Sequence, residues 1–193
     1  MDKVFPHGNW ERLVSLDRYT RTSPEIFLNS AAPDPADIWA DIGCGPGFFT
    51  LPLAAKVARM LAVDISREML DICRQRAEEA GANNIEYLSV IDARLPMDDN
   101  AVDHLLLANV LHEFDDREKT ISELKRVLRP GGMLYIIDWK YEEMDAGPPL
   151  AHRLAEEQAV KEVTAGGFQA RPALPLYTSH YTLPFTFASQ KQI

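Results

Sequence analysis

Short apolar runs alternate with segments of helical periodicity from about residue 36 of the chain onward. Five of these runs have the length of a strand, and they lie at 38–41, 60–63, 85–91, 102–108 and 133–137. Such alternation is typical of βα units that assemble into a parallel sheet. The run 102–108 is almost continuously apolar, as expected of a central strand that is covered on both faces. The sequence therefore predicts an α/β fold.

Helices are predicted between and after these strands. They are expected at 47–58, from Ser66 to Gly81, from Asp115 to Arg129, and from about 150 to 163. Two further strands, at roughly 168–175 and 180–187, follow with no helix between them. Because that gap is too short for a parallel crossover, the last strand should run antiparallel. The prediction is a mostly parallel seven-stranded sheet with an antiparallel last strand.

The chain of 193 residues has the length of one domain. The βα pattern places this domain at residues 36–193. Residues 1–35 precede the pattern and are predicted to form a helical or irregular lid segment. Within that segment, Tyr19 is a candidate for lining a binding pocket.

The charge balance of the chain argues against a nucleic-acid partner. The formal net charge is −9, and such a surface repels a phosphate backbone unless a local basic stripe exists. The densest basic cluster is Lys125, Arg126 and Arg129. It lies near the end of a predicted helix, where the helix dipole favours cations for local reasons. No nucleic-acid partner is therefore expected.

Cysteine content and hydropathy exclude further classes of protein. The chain has 2 cysteines, Cys44 and Cys73, too few for a disulfide framework or a four-thiolate zinc site. No stretch approaches the ~20 apolar residues that span a bilayer, and the N-terminus lacks the apolar core of a signal peptide. We therefore expect a cytoplasmic protein with no membrane partner and no metal site.

The segment Asp41-Ile42-Gly43-Cys44-Gly45-Pro46-Gly47 joins the first predicted strand to the first predicted helix. Its three alternate glycines let the backbone turn tightly and lie against a ligand, although an empty strained turn would use them as well. A dinucleotide-binding loop has the spacing G-x-G-x-x-G, and the third glycine position falls on Phe48 here. The ring of Phe48 would obstruct close approach, and Pro46 has no N–H for a pyrophosphate. The loop therefore favours a ligand without a diphosphate.

A further acidic residue, Asp64, stands at the end of the second predicted strand, after Asp41 at the end of the first. A carboxylate in this place can accept hydrogen bonds from both hydroxyls of a ribose. The alternative is an acidic residue that only complements a helix N-terminus. Beside the glycine loop, the ribose interpretation is favoured.

Five motifs occur in a fixed order: 41–47 (Asp-Ile-Gly-Cys-Gly-Pro-Gly), 62–66 (Ala-Val-Asp-Ile-Ser), 92–96 (Asp-Ala-Arg-Leu-Pro), 109–112 (Asn-Val-Leu-His) and 123–132 (Glu-Leu-Lys-Arg-Val-Leu-Arg-Pro-Gly-Gly). With these motifs the chain resembles the class I S-adenosylmethionine-dependent methyltransferases, and within them the small-molecule group typified by the ubiquinone/menaquinone C-methyltransferases. The resemblance covers about residues 36–140. It implies a Rossmann-like, doubly wound sheet, S-adenosyl-L-methionine as cofactor, S-adenosyl-L-homocysteine as product, and a small-molecule acceptor.

The resemblance assigns a set of positions to the cofactor: Asp41, Gly43, Cys44, Gly45, Gly47, Asp64, Ile65, Asp92, Ala93 and Asn109. The glycines would lie along the cofactor. Asp41 and Asn109 would lie near its methionine end, and Asp64 would hold the ribose diol.

The adenine side of the cofactor is assigned to three of these positions. Ile65 would lie beside the adenine, Asp92 would accept a hydrogen bond from its amino group, and Ala93 would lie against the ring. All the assigned positions fall at the carboxyl ends of predicted parallel strands, which is the ligand-binding edge of an open α/β sheet.

Methyl transfer from a sulfonium is an in-line displacement, so the protein mainly has to align the acceptor and exclude water. A general base can add a factor of about 10²–10⁴. His112, just past the fourth predicted strand, is the candidate catalytic base, and its alternative role is packing at a helix entry. His180, with Tyr181, is a second candidate base, and its alternative role is that of a strand residue. The pair Asp138-Trp139 ends the fifth predicted strand and is a candidate for bordering the acceptor, although Trp139 can equally be a core residue.

Most other functions agree less well with the sequence. The glycine spacing disfavours an NAD(P)-dependent oxidoreductase. A nucleic-acid amino-methyltransferase carries Asn/Asp-Pro-Pro-aromatic where this chain has 109–112, and an arsenite methyltransferase uses more than 2 cysteines. A non-catalytic cofactor-binding or regulatory protein of the same fold stays an alternative, because fold does not fix function. The acceptor atom and the oligomeric state are left open.

Overall fold

The computed structural model describes residues 7–91 and 94–187, which form one sheet with helices on both faces. Its strands are β1 (Ile38–Ile42), β2 (Arg59–Asp64), β3 (Ile85–Ser89), β4 (Val102–Ala108), β5 (Leu128–Trp139), β6 (Gln169–Ala170) and β7 (His180–Thr186). Its helices are α1 (Leu16–Arg21), α2 (Pro24–Ala31), α3 (Thr50–Ala54), α4 (Arg67–Glu79), α5 (Arg117–Val127) and α6 (Glu156–Ala165). Short 3-10 segments lie at His7–Val14, Leu111–Glu113 and Leu150–His152.

The strand order in the 7-stranded sheet is β3-β2-β1-β4-β5-β7-β6. Each neighbouring pair from β3 to β5 is parallel, while β7 runs antiparallel to both β5 and β6. The predicted α/β fold, with a mostly parallel sheet and an antiparallel last strand, is therefore confirmed. The order reverses between β1 and β4, because the chain runs outward to β3 and then returns to the other side of β1. Ligands of open α/β sheets bind at such a switch point, outside the carboxyl ends of the strands.

Alternate side chains of the central strands build one apolar layer on each face of the sheet. Leu105 of β4 belongs to the layer that contains Ile121 of α5. The next residue, Leu106, belongs to the opposite layer, which contains Phe27 of α2. None of these side chains is more than 2% exposed, and burying each one contributes about 1.5–3 kcal/mol. A strand that is apolar along its whole length is thus explained by cover on both faces.

Side-chain caps fix the start of two helices on the sheet edge that carries the candidate site. Oγ of Ser66 accepts a hydrogen bond from the backbone N of Met69 at 3.2 Å, so Ser66 is the N-cap of α4 as predicted. The start of α5 lies one residue later than predicted. Asp116, rather than Asp115, is its N-cap, and Oδ1 of Asp116 accepts from the backbone N of Lys119 at 2.9 Å.

The helix predicted at 47–58 is much shorter in the structure. Only α3 is helical, because the chain turns around the glycine loop until residue 49 and bends again over 55–58 before β2 begins. The helix predicted from about 150 also begins later, at Glu156, after a separate 3-10 segment.

The strand predicted at 168–175 is reduced to the two residues of β6. Pro172 and Pro175 lie in the rest of that range, and a proline has no N–H to donate to a ladder. Strand β7 covers most of the range 180–187 that was predicted for the last strand.

The segment before β1 has two parts in the described residues. Helix α2 belongs to the core, because Phe27 is fully buried and packs edge-to-face against Trp39 and Tyr135, with ring centres 6.2 and 5.3 Å apart. The 3-10 segment and α1 lie over the glycine loop, with the guanidinium of Arg18 4.4 Å from the centre of the Phe48 ring. Within the described ranges, no helix has the length and apolar character needed to cross a bilayer.

Candidate active site

A cavity of about 590 Å³ opens where the strand order reverses. Its walls come from the glycine loop, the ends of β1, β2, β4 and β5, the start of β7, helix α1 with the 3-10 segment before it, and residues 147–149. Pockets that bind small molecules typically have volumes of about 300–1,000 Å³. The cavity is therefore the candidate active site.

The backbone of the glycine loop requires its three glycines. Gly43, Gly45 and Gly47 have φ angles of 72°, 52° and 83°, in the left-handed region that disfavours a side chain. A Cβ on Gly47 would also lie 2.5 Å from Leu51 and 2.7 Å from the sulfur of Cys73 in α4. Gly47 thus allows the close packing of loop against helix that a dinucleotide fingerprint assigns to its third glycine.

Three of the predicted loop residues, Gly43, Cys44 and Gly45, line the cavity. Gly47 is not among the lining residues and lies instead against α3 and α4. Burial raises the pKa of the Cys44 thiol well above its ordinary value. The thiol is therefore protonated at neutral pH and acts as a small packing group.

Asp64 ends β2 beside the glycine loop and is 9% exposed. Its Oδ2 accepts from the backbone N of Gly45 at 2.8 Å, and its Oδ1 accepts from the backbone N of Ser66 at 2.9 Å. These bonds fix the carboxylate between the loop and α4. A carboxylate offers about four lone-pair sites, so such a group can still accept from a ligand diol.

Asp41, in β1 just before the glycine loop, is buried and lines the cavity. Its Oδ2 accepts from Oγ1 of Thr50 at 2.7 Å. Burial raises the pKa of Asp41 to about 6, against the opposing effects of the Thr50 hydrogen bond and the Arg18 charge. Among the described residues, no lysine or arginine forms an ion pair with Asp41. Such a carboxylate suits the ammonium group of a ligand.

Asn109 follows β4 with a φ of 61°, a left-handed conformation that asparagine tolerates better than most residues. Its backbone N donates to the carbonyl oxygen of Ile137 at 2.7 Å. Its side-chain Oδ1 is buried without a hydrogen-bond partner among the described residues, and the residue lines the cavity. A buried acceptor without a partner is costly in an empty site, and it indicates a place for a ligand donor.

The adenine side of the predicted site is described only in part. Ile65 lines the cavity and is 60% exposed, so a flat apolar ring can lie against it. Asp92 and Ala93 lie outside the described residues, and their assignment stays a prediction.

His112 lies in the 3-10 segment after β4 and is buried at the cavity wall. Its Nδ1 is 2.7 Å from Oδ1 of Asp138, and its backbone N donates to Oδ2 of the same carboxylate at 3.2 Å. Burial lowers the pKa of His112, but the hydrogen bond and charge of Asp138 outweigh that effect and raise it above its ordinary value. Because Nδ1 is committed to Asp138, Nε2 is the ring atom available to a ligand.

Helix α1 presents Arg18 and Arg21 to the cavity, three positions apart on one face. Arg18 donates to the carbonyl oxygen of Leu13 at 2.8 Å, and its buried Nε has no hydrogen-bond partner in the described part of the chain. Burial lowers the pKa of Arg18 to about 10, so the side chain stays a cation at neutral pH. Tyr19, the sequence candidate in this segment, does not line the cavity and packs edge-on against Phe48 with ring centres 6.4 Å apart.

His180 of β7 and Trp139 of β5 are paired in the sheet, and both line the cavity. Their ring centres are 4.0 Å apart. Nδ1 of His180 lies 2.8 Å from Oγ of Ser179, while the buried Nε2 has no partner within residues 7–91 and 94–187. Burial, reinforced by the nearby arginine charges, lowers the pKa of His180 to about 3, so its imidazole is neutral.

A single arginine holds the loop that follows β5. Arg153 is 8% exposed and donates to four carbonyl oxygens, those of Lys140, Glu142, Ala146 and Pro148. Its guanidinium also lies 5.3 Å from the centre of the Trp139 ring. A Cβ on Gly147 would lie 2.8 Å from the same ring, so only a glycine lets the loop approach it this closely.

Arg18, Arg21 and Glu113 also line the cavity and are not among the residues predicted from the sequence. The two arginines precede the motifs, and their only signal is the three-residue spacing of basic side chains in the predicted lid. Glu113 directly follows the motif 109–112, and burial raises its pKa to about 7. In the described part of the chain, no group of three or more histidine, cysteine or acidic residues is arranged to hold a metal ion.

The doubly wound sheet, the glycine loop at its switch point and the acidic residues at the ends of β1 and β2 define a class of protein. This class is that of the Rossmann-like, class I S-adenosylmethionine-dependent methyltransferases. The chain matches a family described as a methyltransferase domain over residues 40–136, about half of its length. It belongs to that methyltransferase family.

Known proteins agree with this assignment. The crystal structure of a SAM dependent methyltransferase from Aquifex aeolicus has a TM-score of 0.90 and 26% identity, over 96% of this chain and 100% of that one. The ubiquinone/menaquinone biosynthesis C-methyltransferase UbiE of Wigglesworthia glossinidia brevipalpis is 30% identical over 118 residues, 59% of this chain and 46% of that protein. The demethylmenaquinone methyltransferase of Symbiobacterium thermophilum is 30% identical over 142 residues, 72% of this chain and 53% of that protein.

The aligned region therefore spans about half the length of these two curated relatives. The chain is a methyltransferase enzyme whose cofactor is S-adenosylmethionine.

Proposed function

We propose that the chain transfers a methyl group from S-adenosylmethionine to a small-molecule acceptor, with His112 as the group that takes up the acceptor's proton. The observation that carries this proposal is the shared cavity. It is lined both by Asp64 with the glycine loop and by His112, whose imidazole is held by buried Asp138. The names of two curated relatives, which describe quinone-pathway methyltransferases, support an acceptor of small size.

The residues present fit the cofactor at both of its ends. Asp64 offers a fixed carboxylate to the ribose diol, because backbone N–H groups already hold its two oxygens. At the methionine end, the unpartnered Oδ1 of Asn109 and the buried carboxylate of Asp41 suit the ammonium group. The unpartnered Nε of Arg18 would donate to the methionine carboxylate. These contacts would give the unpartnered atoms of Asn109 and Arg18 a hydrogen-bond partner.

The chemistry that the protein must add is limited. When bound, S-adenosylmethionine supplies a methyl group that is already activated on a sulfonium. Nε2 of His112 accepts a proton from the acceptor as the nucleophile forms its new bond, and Asp138 stabilises the resulting imidazolium. Helix α1 and the loop around 147–149 cover the cavity and limit the access of water.

The size of the acceptor is tested by following a radiolabelled methyl group. The enzyme is incubated with methyl-labelled S-adenosylmethionine and a cell extract separated by ultrafiltration into small-molecule and macromolecular fractions. We expect label in the small-molecule fraction, with formation of S-adenosylhomocysteine, and a loss of about 10²-fold in rate for His112→Ala. Label in the macromolecular fraction alone would contradict the proposal.

Cofactor binding is checked separately by thermal unfolding. S-adenosylhomocysteine at about 100 times its dissociation constant should stabilise the protein by roughly 2.7 kcal/mol, which is a rise of several degrees in Tm for a chain of this size. NAD and NADP should leave Tm nearly unchanged, and adenosine should give a smaller rise because it lacks the amino-acid end. A shift with NAD and none with S-adenosylhomocysteine would contradict the cofactor assignment.

A further inference from the structure

One wall of the cavity has a buried ring nitrogen that forms no hydrogen bond with the described residues. This wall is formed by His180 and Trp139, with Arg21 of α1 beside them. His180 is 2% exposed, and its Nε2 has no hydrogen-bond partner among the described residues. Because a buried polar atom is normally paired, this atom indicates a ligand group that the wall is built to meet.

The contact of His180 with Ser179 shows what kind of ligand atom Nε2 can meet. Oγ of Ser179 lies 2.8 Å from Nδ1. The hydroxyl proton of Ser179 has no other acceptor in the described part of the chain, so it is assigned to the bond with Nδ1. The imidazole is neutral, since burial lowers its pKa to about 3, and its own proton is therefore on Nε2. The wall presents a donor to the cavity and requires an acceptor atom from the ligand.

Two guanidinium groups lie beside this wall. The guanidinium groups of Arg21 and Arg153 lie 5.9 and 5.3 Å from the centre of the Trp139 ring. Arg153 donates to four carbonyl oxygens and forms no ion pair in the described residues. Asp138 is bonded to His112. Asp17, which also lines the cavity, forms an ion pair with Arg21, and its side chain is the more exposed of the two. Two guanidinium groups therefore flank this wall in a chain whose net charge is −9.

We propose that the methyl acceptor is a small organic acid, whose carboxylate or comparable anionic oxygen is bound at this wall by Nε2–H of His180 and the guanidinium of Arg21. This inference rests on the proposed function, because it concerns the acceptor of the same cavity. The imidazole of His180 is neutral and lies near arginines. Its Nε2–H can therefore donate a hydrogen bond to an anion without the ring becoming an imidazolium. The face of Trp139 carries the apolar part of the acceptor, while His112 faces the same cavity with its free Nε2.

The test compares two probes that differ in charge but little in shape, 4-hydroxybenzoate and 4-hydroxybenzamide. Protein saturated with S-adenosylhomocysteine is titrated with each probe by calorimetry. We expect the carboxylate to bind about tenfold more tightly than the amide, as charge-assisted hydrogen bonds require. The affinity for S-adenosylhomocysteine, measured beforehand, shows separately whether the cofactor site is intact.

Two variants locate the anion. Arg21→Gln and His180→Phe should each reduce the preference for the carboxylate by about fivefold or more and leave S-adenosylhomocysteine affinity within about twofold. His180→Gln, which keeps a donor, should retain part of the preference. If His180→Phe fails to fold, Arg21→Gln still decides the matter, because Arg21 lies on the covering helix and not in the core.

Arg74→Gln is the matched control. Arg74 also pairs with an aspartate on its own helix, Asp71 at 2.8 Å, and lies 4.7 Å from the centre of an aromatic ring, that of Tyr87. It does not line the cavity and should leave the preference unchanged. Equal titrations of the two probes, no response to the carboxylate at millimolar concentration, or a preference that survives in both Arg21→Gln and His180→Phe would each overturn the inference.

Discussion

Nδ1 of His112 lies 2.7 Å from Oδ1 of Asp138, although the two residues belong to different βα units. They meet because β4 and β5 are parallel neighbours, so the residues that follow or end these strands reach the same edge of the sheet. The carboxylate also accepts from the backbone N of His112 and from its own neighbour Trp139. These three bonds orient the imidazole ring with Nε2 left for the cavity.

Replacing Asp138 by asparagine should therefore change the titration of His112. An amide cannot stabilise the imidazolium, so the pKa of His112 should fall in Asp138→Asn. NMR titration of the ring protons measures this directly, with His112→Gln used to assign the signal. Once an acceptor is known, the activity of Asp138→Asn should rise at a lower pH than that of the wild type, since the base must be neutral to accept a proton. An unchanged titration midpoint would show that Asp138 does not set the basicity of His112.

The affinity for the cofactor should weaken below neutral pH because of Asp41. With a pKa of about 6 in the free protein, this carboxylate is mostly ionised at pH 7 and mostly protonated at pH 5. The ligand ammonium needs the ionised form, so the affinity for S-adenosylhomocysteine should fall roughly tenfold between pH 7 and pH 5. Calorimetric titrations at both values, with Asp41→Asn as the control that lacks this dependence, test the role. The same fall in Asp41→Asn would assign the effect to another group.

Asp64→Ala should lower cofactor affinity by about 1–3 kcal/mol, since two ribose hydroxyls would lose a charged acceptor. The substitution also frees the backbone N of Gly45, which the carboxylate holds at 2.8 Å. Asp64→Asn keeps one acceptor oxygen and should fall between the wild type and Asp64→Ala. Asp71→Ala, which removes an exposed aspartate of α4, is the control for the loss of one negative charge. Equal affinities for the wild type and Asp64→Ala would remove Asp64 from the site.

Gly47→Ala should destabilise the fold more than Gly81→Ala. Both glycines have positive φ angles, 83° and 72°, so both substitutions carry backbone strain of about 1–2 kcal/mol. A Cβ on Gly81 would meet nothing within 4 Å, whereas one on Gly47 would lie 2.7 Å from the sulfur of Cys73. We expect Gly47→Ala to cost about 1–3 kcal/mol more in urea unfolding. A similar cost for the two variants would mean that α4 shifts freely.

The sequence predicts the sheet and the residues at its carboxyl edge because both depend on local patterns. Asp41 and Asp64 are found from strand length and from the glycines between the strands. His112 is found from its place after an apolar strand. Each of these residues stands at or just after the end of a predicted strand. Parallel strands have their carboxyl ends at the same edge of the sheet, so the fold brings these residues together there.

The wall formed by His180, Trp139 and Arg21 could not be predicted in the same way. Arg21 and His180 are far apart in the sequence, and tertiary packing around Trp139 is what brings them to one place. Helix α3 shows a related limit. Apolar periodicity extended it to residue 58, while the approach of Gly47 to α4 and the turn before β2 restrict the helix to five residues. Propensity alone does not contain these long-range contacts.

The way in which Arg153 holds the loop after β5 has a consequence for how such an enzyme can diversify. All four of its hydrogen bonds go to main-chain carbonyl oxygens, so the path of the loop is set with almost no demand on the loop's own side chains. Apart from Gly147, which must pass close to Trp139, the exposed positions of this loop can change without altering its course. Substitutions there would vary the surroundings of an acceptor while His112 and the cofactor end of the cavity stay as they are.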